Sequence, residues 1–307
     1  MRSASSRQRV SHDRVRPQAS EEQGTTDPAF RASAFSPWWR LIAATAFATS
    51  RASLPAMLYT ILASHILVTP LTMIRWFALF FLLPALSAAA IGRALTARVR
   101  VGDDALTIEH VGLRIDVPRG AIGRVAPWWL PLPAPGFGIV LASGRRLGHG
   151  LAAPDPTPLL HALAARGVPS AAATADHPVV VYARARAAHG PWRWTHLAAK
   201  FPLFALGPTA LLFNVHQHIA YGGLLGQYYM LGLRAYVETF AVYWATVSIY
   251  QVLYASLWRG LAEPICLLAA AVAPSRAARV RRAAEIVIRM LYYGGVPAFL
   301  ALRFAPW

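Results

Sequence analysis

Long apolar stretches constrain this chain more than any other feature of its sequence. A helix needs about 20 apolar residues to cross the hydrocarbon core of a bilayer. Five segments come close to that length and are predicted as membrane spans: 54–74, 76–95, 198–216, 236–258 and 286–302. Composition agrees, because 56% of the 307 residues are hydrophobic and only 14% are charged, against about 45–50% and about 25% in soluble domains.

The segments around the first two spans are polar or aromatic. Residues 1–34 are rich in arginine, serine and glutamine and are predicted to be a disordered basic tail. Residues 35–53 are predicted to form an interfacial helix, because Trp38 and Trp39 stand beside Arg40, a mixture suited to the headgroup layer. The spans 54–74 and 76–95 then form a tight hairpin, 54–95, joined through TPLTMIR.

The distribution of arginine predicts an orientation. Net charge is +17, and Lys200 is the only lysine. Arginines concentrate in the tail and in 93–146, 184–200 and 259–289, whereas 70–75 and 214–234 carry few. The positive-inside rule then places the N-terminus in the cytoplasm of a multi-pass protein. Because the composition is typical of a high-GC bacterial genome, we expect a bacterial inner membrane, with the bilayer and its anionic headgroups as partners. The chain carries no recognised nucleic-acid motif, so nucleic acid is not expected as a partner.

Residues 96–168 have the pattern of a small cytoplasmic α+β domain. Apolar and polar residues alternate on both sides of the Gly102-Asp103-Asp104 turn, as in a β-hairpin. A short amphipathic helix follows and ends at Gly167, a typical C-cap. The following residues, 169–197, are predicted to be a basic and aromatic linker, with Trp192 and Trp194 among arginines.

This domain resembles the bacterial pleckstrin-homology-like (PH-like) domains over about residues 97–168. The resemblance lies in a strand pair directly after a membrane hairpin, the segment IDVPRGAIGRV, a loop ending in Pro135-Gly136, the segment LASGRR, Asp155-Pro156 and a closing helix. Members of that family are mostly small, non-catalytic barrels. The resemblance therefore implies a docking or assembly module, with a membrane protein as a possible partner.

The C-terminal membrane domain, 198–307, contains an outer loop at 214–234 and a basic inner segment at 259–285. Polar residues crowd the outer loop, and buried polar groups must find partners. Tyr221, Gln227, Tyr228, Arg234 and Glu238 are candidate ligand-binding residues. Arg234 and Glu238, four apart, are expected to pair on one helical face. Within the inner segment, 261–273 is too short for an ordinary span and is expected to be a re-entrant or interfacial helix, with a sixth span as the alternative.

Histidines in the same loop raise the possibility of a metal site. On an extended chain, His216 and His218 could share an ion, with His65 as a further ligand and Glu238 as a carboxylate. A hydrogen-bonded outer cap and a small-molecule or lipid pocket are the alternatives. No cofactor is identified, although metal or haem would fit these ligands.

Three functional hypotheses follow. The first is a non-enzymatic docking or scaffold protein with a cytoplasmic PH-like module. The second is a membrane-embedded metal- or haem-dependent oxidoreductase that uses the outer histidines. The third is a transporter of a small or lipidic substrate, although the sequence shows no inverted repeat and no carboxylate well inside a predicted span. Common catalytic motifs such as GxSxG, HExxH and the Walker loop are absent from the sequence.

Overall fold

The computed structural model describes residues 28–63, 68–110, 112–190 and 194–304. It contains a set of long apolar helices and a separate curled antiparallel sheet. Within the described residues, four helices are long and apolar enough to cross a membrane: Pro37–Ala63, Pro70–Ala94, Thr195–Tyr221 and Gly226–Val272. The predicted fifth span, 286–302, lies inside another long helix, Ala277–Phe304. This helix carries several arginines in its first half and is not among these four.

The described chain begins with a strand, β1 (Ala29–Phe35), that leads directly into helix α1 (Pro37–Ala63). In β1 the buried Ala32 and Ala34 alternate with the more exposed Arg31 and Ser33, which is the pattern of a half-buried strand. The prediction of a disordered tail over 1–34 is therefore wrong for this strand, and residues 1–27 lie outside the described part. The predicted interfacial helix 35–53 is not a separate element, because α1 runs without a break from Pro37 to Ala63.

The second half of the hairpin is a continuous helical run. It consists of α2 (Pro70–Trp76), a π-helical segment (Phe77–Leu82) and α3 (Leu83–Ala94). The segment TPLTMIR, residues 69–75, therefore does not connect the two helices of the hairpin. Instead, the side chain of Thr69 accepts a hydrogen bond from the Thr72 amide at 3.3 Å, and Pro70 occupies the first turn, so the pair starts a helix. The spans predicted at 54–74 and 76–95 shift accordingly.

The sheet contains seven strands, and each adjacent pair is antiparallel. After β1 the strands are β2 (Thr96–Val101), β3 (Ala105–His110), β4 (Leu113–Pro118), β5 (Ile122–Pro127), β6 (Gly136–Leu141) and β7 (Gly150–Ala152). Their order is β4-β3-β2-β1-β7-β6-β5. Because β1 precedes the hairpin and occupies the centre of the sheet, the domain is not the continuous segment 96–168. The hairpin leaves the sheet after β1 and returns to it at β2.

Two short helices pack on one face of this sheet. They are α4 (Thr157–Ala165) and α5 (Pro169–Ala175), and their apolar side chains join the sheet's core. The predicted hairpin at Gly102 and the helix end at Gly167, which has φ 83°, are both present. The predicted linker 169–197 is instead largely helical, because α5 and α6 (Pro178–Ala187) each begin at a proline in the first turn.

The C-terminal part is a helical array. It comprises α7 (Trp194–Ala198), a π-helical segment (Ala199–Leu203), α8 (Phe204–Tyr221), α9 (Gly226–Val272) and α10 (Ala277–Phe304). The predicted outer loop 214–234 is mostly helical: α8 ends at Gly222, with φ 74°, and a break follows at Gly232, with φ 83°. Only residues 222–225 join the two helices.

Helix α9 also corrects the expectation for residues 261–273. They continue α9 as far as Val272 and are neither a re-entrant helix nor a sixth span. From residue 233 to 272 the helix is about 60 Å long at 1.5 Å per residue, about twice the thickness of a hydrocarbon core. Its last turns pack against α6 and α10, through Cys266 and Ala270 against Val181 and Ala277, so protein covers one face of this end, whereas Leu268 and Val272 on another face are exposed.

Candidate functional site

The predicted metal ligands do not converge. His216 and His218 lie in α8 and not on an extended chain, and two helical residues at this spacing point about 200° apart. The His216 ring packs 5.2 Å from the Tyr243 ring. His218 is exposed, and its Nδ1 lies 2.9 Å from the carbonyl oxygen of Asn214. The described residues contain no group of three or more possible ligands, and His65 lies outside them.

The predicted ligand-binding residues serve different roles. Gln227 is buried between two hydrogen-bond partners. The Gln217 side-chain amide donates to Gln227 Oε1 at 2.6 Å, and the Gln227 side-chain amide donates to Thr239 Oγ1 at 2.8 Å. These glutamines close the turn between α8 and α9. Tyr228 is exposed, and Tyr221 packs against His216. Of these three residues only Gln227 is buried.

Arg234 and Glu238 form the predicted ion pair. Their Nε and Oε1 atoms are 2.7 Å apart, one helical turn along α9, and the Arg234 side chain is 91% exposed. Exposed pairs of this kind contribute little to stability and do not define a site. The predicted pairing is confirmed.

The most densely charged site of the described structure is elsewhere, where α6, α9 and α10 meet. We call it the inner cluster: Tyr182, Arg259, Glu263, Arg281 and Glu285. Arg281 donates to Glu263 and to Glu285, each at 2.7 Å, and its side chain is only 4% exposed. Arg259 donates to Glu285 at 2.9 Å and to Glu263 at 3.2 Å. Two arginines and two glutamates therefore alternate in a closed ring, and Arg51, Arg186 and Lys200 add positive charge around it.

Tyr182 connects this ring to the sheet side of the molecule. Its hydroxyl donates a short hydrogen bond to Glu263. Burial, together with the adjacent Glu263 carboxylate, raises the pKa of Tyr182 to about 12. A perturbed group beside charged partners is a candidate for function, but ion-pair networks that only hold elements together perturb pKa values in the same way. Because each described charge in the ring faces an opposite charge, the inner cluster is best explained as a structural latch between α6 and the α9–α10 pair.

The sequence contains a signal for this latch that its interpretation missed. The spacing R-x-x-x-E occurs at Arg234–Glu238, at Arg259–Glu263 and at Arg281–Glu285. In a helix each pair lies on one face. Two of the pairs lie on consecutive antiparallel helices, where they combine, whereas the first stands alone on the surface.

A second charged surface lies on the outward face of the sheet. The strand register aligns Arg31, Arg98, Glu109 and Arg114 in one row across β1, β2, β3 and β4. Glu109 is bound by Arg100 at 3.4 Å, and Asp116 by Arg114 at 2.9 Å. In the described residues neither Arg31 nor Arg98 has an ion-pair partner, although they face each other directly. Like charges in directly opposed positions destabilise a sheet.

The two edges of the sheet differ as well. Along β5, helix α5 satisfies the backbone of Val125: its amide donates to Ser170 Oγ at 3.0 Å, and its carbonyl accepts from Thr174 Oγ1 at 3.0 Å. At the other edge, β4 is the terminal strand, and no described strand pairs with its outer side. An edge of this kind is a template for an added strand.

Comparisons with models of protein families, with curated proteins and with solved structures found no match to this chain. Any functional inference therefore depends on the geometry above. The two features that bear on function are the latch between α6 and the long helices and the arginine row beside the open edge of β4.

Proposed function

We propose that this chain is a membrane-anchored docking protein without catalytic activity of its own. Its long helices cross a bacterial inner membrane, and its sheet with α4 forms a cytoplasmic PH-like module. Four apolar helices support the membrane assignment, and α10 adds a fifth span in this proposal. The N-terminus of α1, the C-terminus of α3 and the inner cluster then lie on the arginine-rich, cytoplasmic side.

The sheet is mounted firmly on the helices. The Ala34 amide donates to the Leu95 carbonyl at 2.9 Å, and Ser33 Oγ donates to the Gly92 carbonyl at 3.2 Å, so the end of α3 is bonded to β1. On the other side, the inner cluster fixes α6 against α9 and α10. A module held at both ends keeps its outward face in a fixed orientation to the membrane, as a docking platform requires.

The facing pair Arg31 and Arg98 carries the docking proposal. Two arginines in register on an exposed face repel each other. Glu109, which lies opposite Arg98 in the register, pairs with Arg100 at 3.4 Å. A negatively charged partner would offset the repulsion between the two arginines. The open edge of β4 lies two strands away, so one extended acidic segment of a membrane-associated protein could add to the edge and reach the arginine row.

The alternatives have weaker support. An oxidoreductase needs converging ligands, and His216 and His218 point to different sides of α8. A transporter needs a polar path, and the polar side chains placed between α8 and α9 bond chiefly to each other. Neither hypothesis rests on an observation comparable to the arginine pair.

Photo-crosslinking in cells tests the docking proposal. A photoreactive p-benzoylphenylalanine replaces Asp116 on the open β4 edge or, as the matched control, the exposed Arg124 on the closed β5 edge. We expect an adduct of defined mass from position 116 and none from position 124. In an Arg31→Glu/Arg98→Glu background the adduct at 116 should disappear, because the charge that attracts an acidic segment is reversed.

Other outcomes contradict the proposal. Equal adducts from both positions would indicate random collisions, and an adduct that survives charge reversal would exclude recognition through the arginine row. If position 116 gives no adduct in cells in which the protein is folded and in the membrane, the β4 edge is not a docking edge.

A further inference from the structure

Positive charge exceeds negative charge around the inner cluster. Within the ring each glutamate already bonds to both arginines. Arg51 of α1 and Arg186 of α6 interact electrostatically with Glu263, but neither forms an ion pair with an acidic residue in the part of the chain that the structure describes. The carboxylates of the cluster therefore leave two neighbouring arginines without a bonded anion.

Helix α6 brings one of these arginines to α9. Arg186 comes four residues after Tyr182, so the two side chains lie one turn apart on the same face of α6. The Tyr182 hydroxyl bonds to Glu263 of α9, and Glu263 pairs with Arg259, one turn earlier in α9. The exposed Arg186 is therefore held beside the pair formed by Arg259 and Glu263.

Helix α1 brings the other arginine to the same place. Arg51 comes three residues before Leu54, which is buried with Leu253 of α9 in one apolar cluster. Arg51 is exposed, and the positive charges of both Arg186 and Arg259 act on it. Cationic side chains from α1, α6 and α9 therefore converge, and they repel one another as long as no anion lies between them.

Exposed apolar side chains border these arginines. On α1, Leu62 comes three turns after Arg51 on the same face and is 74% exposed, and Tyr59 beside it is 68% exposed. On α9, Leu257 is exposed two residues before Arg259. Both helices are long and apolar enough to cross a membrane. A ligand with an anionic head and apolar tails matches this combination of charge and apolar surface.

We propose that Arg51 and Arg186, with the positive charge of Arg259 beside them, bind the phosphate group of an anionic phospholipid whose acyl chains lie along the exposed apolar side chains of α1 and α9. Guanidinium groups suit phosphate because they donate paired hydrogen bonds to its oxygens. The adjacent apolar surface assigns the phosphate to a lipid and not to a soluble anion. This inference rests on the membrane residence given under the proposed function, but not on docking through the arginine row.

Native mass spectrometry of the full chain in detergent tests the proposal, with phosphatidylglycerol as the probe. We expect one phosphatidylglycerol to stay bound to each chain, whereas the neutral phosphatidylcholine should be lost under the same conditions. In Arg51→Gln/Arg186→Gln the affinity for phosphatidylglycerol should fall about 25-fold, because each arginine near an anionic lipid contributes about fivefold. The control Arg93→Gln/Arg282→Gln removes two exposed arginines of α3 and α10 and should retain the lipid.

A conservative variant and a soluble anion show what the site recognises. Arg51→Lys/Arg186→Lys keeps both charges and should keep most of the binding. Inorganic phosphate in millimolar excess should not displace phosphatidylglycerol, because it has no acyl chains. Displacement by phosphate would overturn the assignment to a lipid. Equal retention of phosphatidylglycerol by the glutamine double variant and by its control would overturn the site itself.

Alkaline carbonate extraction of cell membranes separates this inference from membrane residence. If the protein stays in the membrane pellet while all variants bind phosphatidylglycerol equally, membrane residence stands and the phosphate site is overturned. If carbonate releases the protein, membrane residence itself fails, and the lipid site fails with it.

Discussion

Replacing Arg281 by methionine is expected to destabilise the protein strongly. Methionine keeps about the length and the apolar contacts of the arginine side chain. Within the inner cluster, however, Glu263 and Glu285 would then share a single cation, Arg259. Arg281 is 4% exposed and makes two hydrogen bonds of 2.7 Å to these carboxylates. At about 1.5–3 kcal/mol for each bond to a charged group, the loss is about 3–6 kcal/mol, which agrees with about 3–5 kcal/mol for breaking a buried ion pair.

The chain supplies its own control for this substitution. Arg234→Met removes an arginine with the same R-x-x-x-E spacing, but its pair is exposed to solvent, so no measurable change is expected. Unfolding in mixed micelles of a mild detergent and sodium dodecyl sulfate, followed by circular dichroism, gives the free energy for each variant.

Coupling within the cluster provides a second criterion. In Arg281→Met/Glu285→Gln, one unpaired carboxylate is removed together with the arginine, so the double variant should lose less than the sum of the two single losses. Equal stability of Arg281→Met and Arg234→Met, or strict additivity in the double variant, would refute the interpretation of the cluster as a latch.

Three further predictions concern other contacts. Because the pKa of Tyr182 is raised to about 12 from its ordinary value near 10, its contribution to stability is fully present below pH 10 and is lost as pH rises toward 12. The unfolding free energy of Tyr182→Phe should therefore fall less steeply with pH in that window than that of the unsubstituted protein. Identical slopes would exclude the raised pKa. Gly136→Ala should cost about 1–3 kcal/mol in chemical denaturation, because the added Cβ would clash with the Leu151 carbonyl oxygen and the Trp128 ring. Gly138→Ala, with no atom within 4 Å of the added Cβ, should not show this loss. Gln217→Leu should lower the melting temperature, because Gln227 loses its buried hydrogen-bond partner. The control His218→Leu, on the exposed side of the same helix, should leave the melting temperature unchanged. Equal melting temperatures of the two variants would contradict a stabilising role for the bond between the glutamines.

The sequence predicts local features well where a single segment determines them. Apolar length identifies four helices of spanning length, and the glycine-aspartate turn and the glycine after α4 mark a hairpin and a helix end. The Arg234–Glu238 pair is also local, because a helix alone brings the two residues together.

Non-local features were not predictable in the same way. Strand β1 pairs with Thr96–Val101 and with Gly150–Ala152, and nothing in the seven residues of β1 encodes partners that lie beyond a helical hairpin. The inner cluster shows the same limit. Its two R-x-x-x-E pairs are visible in the sequence, but their combination depends on how α9 packs against α10. The Trp128 ring likewise packs against Gly136 of β6 and Gly150 of β7, which lie far from each other in the sequence.

The outer histidines were misplaced for a specific reason. The metal hypothesis required an extended chain at His216 and His218, but α8 continues to Tyr221 and ends only at Gly222. Two histidines that would approach each other on a strand are turned apart on a helix.

The most direct test of this account is the sidedness of two single cysteines in intact cells. In the Cys266→Ser background, Tyr229→Cys lies at an exposed position in the first turn of α9, and Ser143→Cys lies at an exposed position in the turn between β6 and β7. With a membrane-impermeant maleimide, the account predicts labelling of position 229 in intact cells and of position 143 only after the membrane is opened. Labelling of both positions in intact cells, or of 143 alone, would contradict a chain that spans the membrane with its sheet on the cytoplasmic side.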